Sequence, residues 1–133
     1  MTLTGGCLCG AVRFEIKGRL SDAHACHCSL CRRQSGHYAV ASDAPRADFV
    51  LTEDRGLAWY RSSDFAKRGF CRECGSVLFW DDGGDAVSIN LGSLEETGGV
   101  TVTKHIFVDE KGDYYELTDG LPQFAGYDQP LDS

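Results

Sequence analysis

The sequence predicts a mainly β domain of coiled, strongly bent antiparallel sheets. Apolar and polar residues alternate with period two along much of the chain, turn residues break the runs at short intervals, and only one segment reads as helical. A chain of 133 residues has the length of a single domain with one core, spanning 1–133. Sixteen glycines fit many tight turns better than long helices.

The first strand is Ala11–Lys17, with Val12, Phe14 and Ile16 on one face and Arg13, Glu15 and Lys17 on the other. A short helix follows over Ser29–Ser35, ended by Gly36 as a left-handed C-terminal cap. Further strands, rich in β-branched and aromatic residues, are expected at His37–Ala41, Asp48–Leu51, Leu57–Arg61 and Ser76–Trp80. Ala86–Leu91 sets Val87, Ile89 and Leu91 against Ser88 and Asn90, and Thr101–Val108 completes the series. Turn clusters such as Asp81–Gly84 and Asp109–Asp113 separate these runs. Trp59, Tyr60, Phe70, Phe79 and Trp80 lie inside strand patterns and are expected in the core. Asp113–Leu117 reads as a strand end and Asp119–Pro122 as a turn, and the two are candidates to cover the cysteine-bearing metal sites.

Composition narrows the partners. The net charge of −7 is uneven: residues 1–72 hold eleven Lys/Arg against seven Asp/Glu, and residues 73–133 hold two against thirteen. Nucleic acid is not expected, since it needs an extended basic surface. No apolar run is long enough to cross a bilayer. Met1–Gly6 has neither the basic nor the apolar stretch of a secretory leader, so a cytoplasmic location with reduced thiols is expected. The cations gather near the cysteines: Arg32, Arg33, Lys67, Arg68 and Arg72. They either neutralise thiolate charge or hold an anionic substrate.

Seven cysteines are an odd number, which fits poorly with a complete disulfide framework. Cys7-Leu8-Cys9-Gly10 and Cys71-Arg72-Glu73-Cys74-Gly75 are two turns of metal-ligand spacing, each followed by a glycine that permits positive φ. Together they offer four thiolates, the closed tetrahedral set of a structural zinc. Cys26-His27-Cys28-Ser29-Leu30-Cys31 offers three more without a fourth cysteine. Three protein ligands and an open position are the arrangement of a catalytic zinc. A histidine could instead close that site, with His24, His27, His37 and His105 as candidates, although the His27 ring, between two ligands, should point away. Redox thiols are a third reading, but the thioredoxin-like βαβ pattern that usually carries them is absent. No nucleophile-elbow, P-loop, H-E-x-x-H or G-x-G-x-x-G motif occurs.

These residues carry a resemblance. Gly6-Cys7-Leu8-Cys9-Gly10-Ala11-Val12-Arg13-Phe14, Cys26 to Arg33 and Phe70-Cys71-Arg72-Glu73-Cys74-Gly75 resemble the glutathione-dependent formaldehyde-activating enzyme family, which includes centromere protein V. Gly92-Ser93-Leu94, Lys104 to Val108 and Asp119 to Pro122 also resemble its pattern, so the likeness spans about residue 5 to residue 124. It implies coiled sheets similar to those of the small Rab-GTPase release factors. It implies two Zn²⁺ per chain, one structural at Cys7, Cys9, Cys71 and Cys74, the other catalytic at Cys26, Cys28 and Cys31. The implied activity joins formaldehyde to glutathione to give S-(hydroxymethyl)glutathione, a carbon–sulfur lyase in reverse. Arg32, Arg33, Lys67 or Arg68 would then pair with glutathione carboxylates. A non-catalytic zinc module for a protein partner is the alternative from a different class.

Overall fold

The computed structural model describes residues 1–127; residues 128–133, which the one-domain expectation includes, lie outside the described residues. Ten strands and one helix follow in the order β1 (Thr2–Gly6), β2 (Arg13–Lys17), β3 (Ala23–Cys26), α1 (Ser29–Ser35), β4 (Ala39–Pro45), β5 (Phe49–Glu53), β6 (Leu57–Arg61), β7 (Lys67–Cys71), β8 (Val77–Asp81), β9 (Ala86–Asn90) and β10 (Val102–Ile106). They form a three-stranded sheet, β1-β2-β5, and a seven-stranded sheet, β10-β3-β4-β9-β8-β7-β6. The domain is mainly β, as expected.

The three-stranded sheet is antiparallel as expected, but the seven-stranded sheet is mixed, which corrects the antiparallel expectation there. β10 pairs with β3 in parallel, placing His105 beside Ala25 and Ile106 beside Cys26. A parallel neighbour needs a long crossover, and here the whole chain between β3 and β10 supplies it. Strands β1, β3 and β7 are further departures from the sequence reading. β3 is Ala-His-Ala-Cys and β7 is Lys-Arg-Gly-Phe-Cys. Neither has the β-branched residues that mark a strand locally. They form because neighbours on both sides supply ladder partners: β4 and β10 for β3, β6 and β8 for β7.

The main core lies on one face of the large sheet and includes Val12, Phe14, Ile16, Leu78, Phe79, Val87 and Ile89, with Cys7 and Cys71 among them. Phe14 meets Phe79 edge-on at 5.2 Å and Phe49 at 5.7 Å. A second, smaller cluster holds Cys26, Cys31 and Ile106, with Phe107 and Phe124 packed against it. Of the five aromatics expected inside, Phe79 is buried and Phe70 and Trp80 are half-buried. Trp59 and Tyr60 are exposed, at 38% and 64%. The reason is position: β6 is an edge strand of the large sheet.

One ion pair ties the ends of the β4–β8 region. Arg46 donates to Asp81 at 2.6 and 3.2 Å, and the Asp81 side chain is only 8% exposed. The guanidinium holds the Asp81 carboxyl below the usual carboxylate range. The native state therefore binds its proton less readily than the unfolded chain, so this stabilisation is full above about pH 4 and fades as pH falls through the lower, folded value. Arg46→Met should cost about 1–3 kcal/mol at pH 7 by leaving a buried carboxylate short of a partner. Urea unfolding at pH 7 and pH 3 checks it: the gap between wild type and variant should narrow at the lower pH.

Candidate metal centres

The four cysteines of the two glycine-ended turns converge. Cys7 and Cys9 Sγ lie 3.7 Å apart, Cys9 and Cys71 Sγ also 3.7 Å, and all four sulfurs lie within 4.8 Å of one another. A tetrahedron with zinc–sulfur bonds of about 2.3 Å has edges of about 3.8 Å, so the spacing fits the ion. Gly10 at φ 87° and Gly75 at φ 82° supply the left-handed turns that fold each pair back. Backbone donors reach the sulfurs, with the Val12 N–H 3.2 Å from Cys7 Sγ. The set joins the start of β2 to the end of β7, and Cys71 is fully buried.

Cys26 ends β3, Cys28 caps α1 and Cys31 sits in its first turn; their sulfurs also lie within 4.8 Å of one another. Cys28 Sγ accepts from the Cys31 N–H at 3.3 Å, and Gly36 closes the helix at φ 87°, as the sequence indicates. No histidine nitrogen or carboxylate among the described residues joins this group. The His27 ring does point away: it is fully buried and hydrogen-bonded to Tyr115 Oη at 2.5 Å and His105 Nδ1 at 2.9 Å. His105 continues to Asp119 at 2.8 Å, and His37 bonds Tyr114 Oη at 2.6 Å.

The expected strand end at Asp113–Leu117 is instead a turn and an extended segment, and it covers this loop from behind. The Tyr115–His27–His105–Asp119 chain has no signature in the sequence, because its members lie 14 to 88 residues apart. The one hint is that His27, pinned between two ligands, must send its ring elsewhere.

The thiols in each group compete for charge. In the first, the Ser76 hydroxyl and amide hold Cys74 down at about 5. Cys9 is pushed up to about 12: the Ala11 amide favours its thiolate, but desolvation and three neighbouring sulfurs outweigh it. In the second, Cys26 and Cys31 hold Cys28 down at about 2, while Cys26 is pushed far up by Cys28, Cys31 and burial. Such sets cannot ionise fully by themselves. A divalent cation removes the conflict, and both sets have the donor chemistry for zinc. All seven cysteines are free of disulfides.

The two groups differ in their access to space. Cys26, Cys28 and Cys31 line a cavity of about 630 Å³, whereas none of Cys7, Cys9, Cys71 and Cys74 does. The cavity floor is the face of the large sheet opposite the main core, where strand alternation sends His24 and Cys26 of β3, Ala39, Ala41 and Asp43 of β4, and Ser88 and Asn90 of β9. Of the four cations assigned to substrate from the sequence, Arg68 lines the cavity; Arg32, Arg33 and Lys67 do not. Lys67 lies over the Trp59 ring, 4.3 Å from its centroid. Arg68 is buried, with its terminal nitrogens 3.5 and 3.6 Å from Cys31 Sγ, Nη1 donating to Gln34 at 3.0 Å and Nε to Ser62 at 3.1 Å. It serves thiolate charge first. His24, one of the four histidines considered as a closing ligand, lines the cavity two residues before Cys26 on the same face of β3 but does not join the three sulfurs.

The domain is a two-sheet fold with two convergent cysteine groups that could hold metal ions, one of them facing a cavity. The sequence model of the glutathione-dependent formaldehyde-activating enzymes matches residues 2–110, and the chain belongs to that family. It is similar to an uncharacterized lyase of Schizosaccharomyces pombe, 27% identical over 123 residues that cover 91% of this chain and 89% of that protein. A Halomonas elongata protein provisionally named a glutathione-dependent formaldehyde-activating enzyme is 30% identical over 87 residues, 59% of this chain and 55% of that one. A crystal structure of a Rhodobacter sphaeroides protein matches at a TM-score of 0.61 and 31% identity, covering 75% of this chain and 99% of that one. Among the described residues no helix is long and apolar enough to cross a membrane.

Proposed function

We propose that the chain is a zinc-dependent carbon–sulfur lyase that joins an aldehyde to a thiol, or splits the adduct, at Cys26, Cys28 and Cys31. The observation that carries this is the asymmetry between the cysteine groups: four sulfurs closed on one another, and three at the wall of a cavity without a fourth protein ligand among the described residues. Formaldehyde with glutathione, the pair in the family's name, is the reference reaction, and a related thiol adduct is the wider class. A sulfur–carbon bond forms, and the thiol proton goes to the carbonyl oxygen.

Cys26, Cys28 and Cys31 would hold the zinc, which when bound would favour the thiolate form of a substrate sulfur. Arg68 neutralises charge at Cys31, which keeps three thiolates together tolerable. The Tyr115–His27–His105–Asp119 chain fixes the backbone between Cys26 and Cys28. The cavity walls exclude bulk water from the sulfur. Cys7, Cys9, Cys71 and Cys74 hold the structural ion.

Calorimetric titration of zinc-loaded protein with 2-mercaptoethanol and its S-methyl ether tests the reading. The thiol should bind at least about tenfold more tightly, and increasingly so as pH rises towards its own pKa. Equal binding would remove the sulfur from the metal. Binding of neither would favour a non-catalytic zinc module.

A further inference from the structure

The cavity's charge and shape say more about its occupant than the cysteines do. Its volume of about 630 Å³ suits a small organic molecule, far beyond formaldehyde. Four of its lining residues form one cross-strand row, Asp43 on β4, Ser88 on β9, Trp80 on β8 and Arg68 on β7, each paired with the next. Three strand spacings separate the ends, about 14 Å between backbones. Arg68 marks the end at Cys31, and Asp43 lies at the other.

The lining also carries an apolar surface, next to polar side chains such as Ser88 and Asn90. Phe65 and Trp80 meet edge-on at 6.4 Å, and Val77, Ile106 and Phe107 also line the space. Beyond Trp80 the far end adds Asp82 and Asp85. Three carboxylates therefore stand there. Asp43 accepts from the Ser88 hydroxyl and Asp82 from the Gly84 N–H; the nearby Arg46 guanidinium also feels Asp82 and Asp85 but is bonded to Asp81, so this end keeps an excess of carboxylates.

Against them stands Arg68, the one lysine or arginine in the lining among the described residues, and it is committed to Cys31, Gln34 and Ser62. Residues 128–133 contain neither lysine nor arginine, so they bring no further cation. A zinc with three thiolates is itself net negative, and a bound substrate thiolate makes it more so. Glutathione would add two carboxylates against one ammonium, a net negative charge, and the lining offers its carboxylates no uncommitted lysine or arginine among the described residues. Like charges repel, most strongly beside the buried Cys31 and half-buried Asp43 and more weakly at the exposed Asp82 and Asp85.

We infer that the thiol whose adduct this chain processes carries no carboxylate and has an apolar body that lies over Phe65 and Trp80. This rests on the lyase reading above and names its substrate class: an uncharged or amine-bearing apolar thiol.

Zinc-loaded protein titrated at fixed pH with phenylmethanethiol, glutathione and glutathione diethyl ester tests it. Phenylmethanethiol should bind about tenfold or more tightly than glutathione, and the diester, whose carboxylates are masked, should also exceed glutathione. Asp85 is exposed on a turn and takes no part in either cysteine group, so Asp85→Lys should fold normally. It should shrink the advantage of the diester over glutathione. Glutathione binding more tightly than its diester, or a gap that Asp85→Lys leaves unchanged, overturns the inference and leaves the lyase reading standing. Failure of every thiol to bind overturns both.

Discussion

Cys7→Ala and Cys74→Ala are expected to abolish the cooperative unfolding transition, leaving a chain that melts without a defined midpoint. Their four-sulfur group joins the loop before β2 to the turn after β7, segments more than sixty residues apart. Cys7 and Cys71 are also members of the main core, beside Val12, Phe14 and Leu78. A structural zinc contributes about 10–16 kcal/mol in small zinc domains, as much as the whole net stability of a typical domain, about 5–15 kcal/mol. Losing one ligand of four therefore removes a large share of what holds the fold. Circular dichroism and calorimetric melts should show lost structure in both variants. A melt within a few degrees of wild type would mean that the ion does not organise the core.

Cys28→Ala should behave in the opposite way: a folded protein with no activity. Its group lies within six residues of chain, and the small cluster around it is separate from the main core. Cys28 is half-buried and its sulfur caps a helix of seven residues, so the local cost should be about 1–2 kcal/mol, a shift of several degrees in the melt. Activity should fall to background, because two thiolates at the cavity wall cannot retain the ion that positions the substrate sulfur. Equal loss of structure in Cys28→Ala and Cys74→Ala would refute the division of roles.

The convergence of the cysteines into two groups was readable from spacing because each group is built from local turns, which bring neighbouring sulfurs together without knowledge of the fold. The helix over Ser29–Ser35 with its Gly36 cap was readable for the same reason. The parallel β3–β10 pairing was not, since Ala23–Cys26 has no local strand signal and its partner lies some eighty residues away. Net positive charge near the cysteines pointed to four cations, yet only Arg68 reaches the cavity, because side-chain direction on β7 and α1 depends on packing. The acidic far end escaped notice altogether: Asp43, Asp82 and Asp85 belong to turn-rich stretches in sequence and meet only through the β4–β9–β8 ladder.

The most direct test of the account is the metal content and coordination of protein never exposed to chelator. Elemental analysis should give two zinc ions per chain. Zinc X-ray absorption should show sulfur-dominated shells at about 2.3 Å, and one non-protein ligand across the pair of sites. Addition of 2-mercaptoethanol should then convert that light-atom contribution to sulfur. One zinc per chain with four sulfurs would contradict the open site and the lyase reading while leaving the structural ion in place. No zinc at all would contradict the account as a whole.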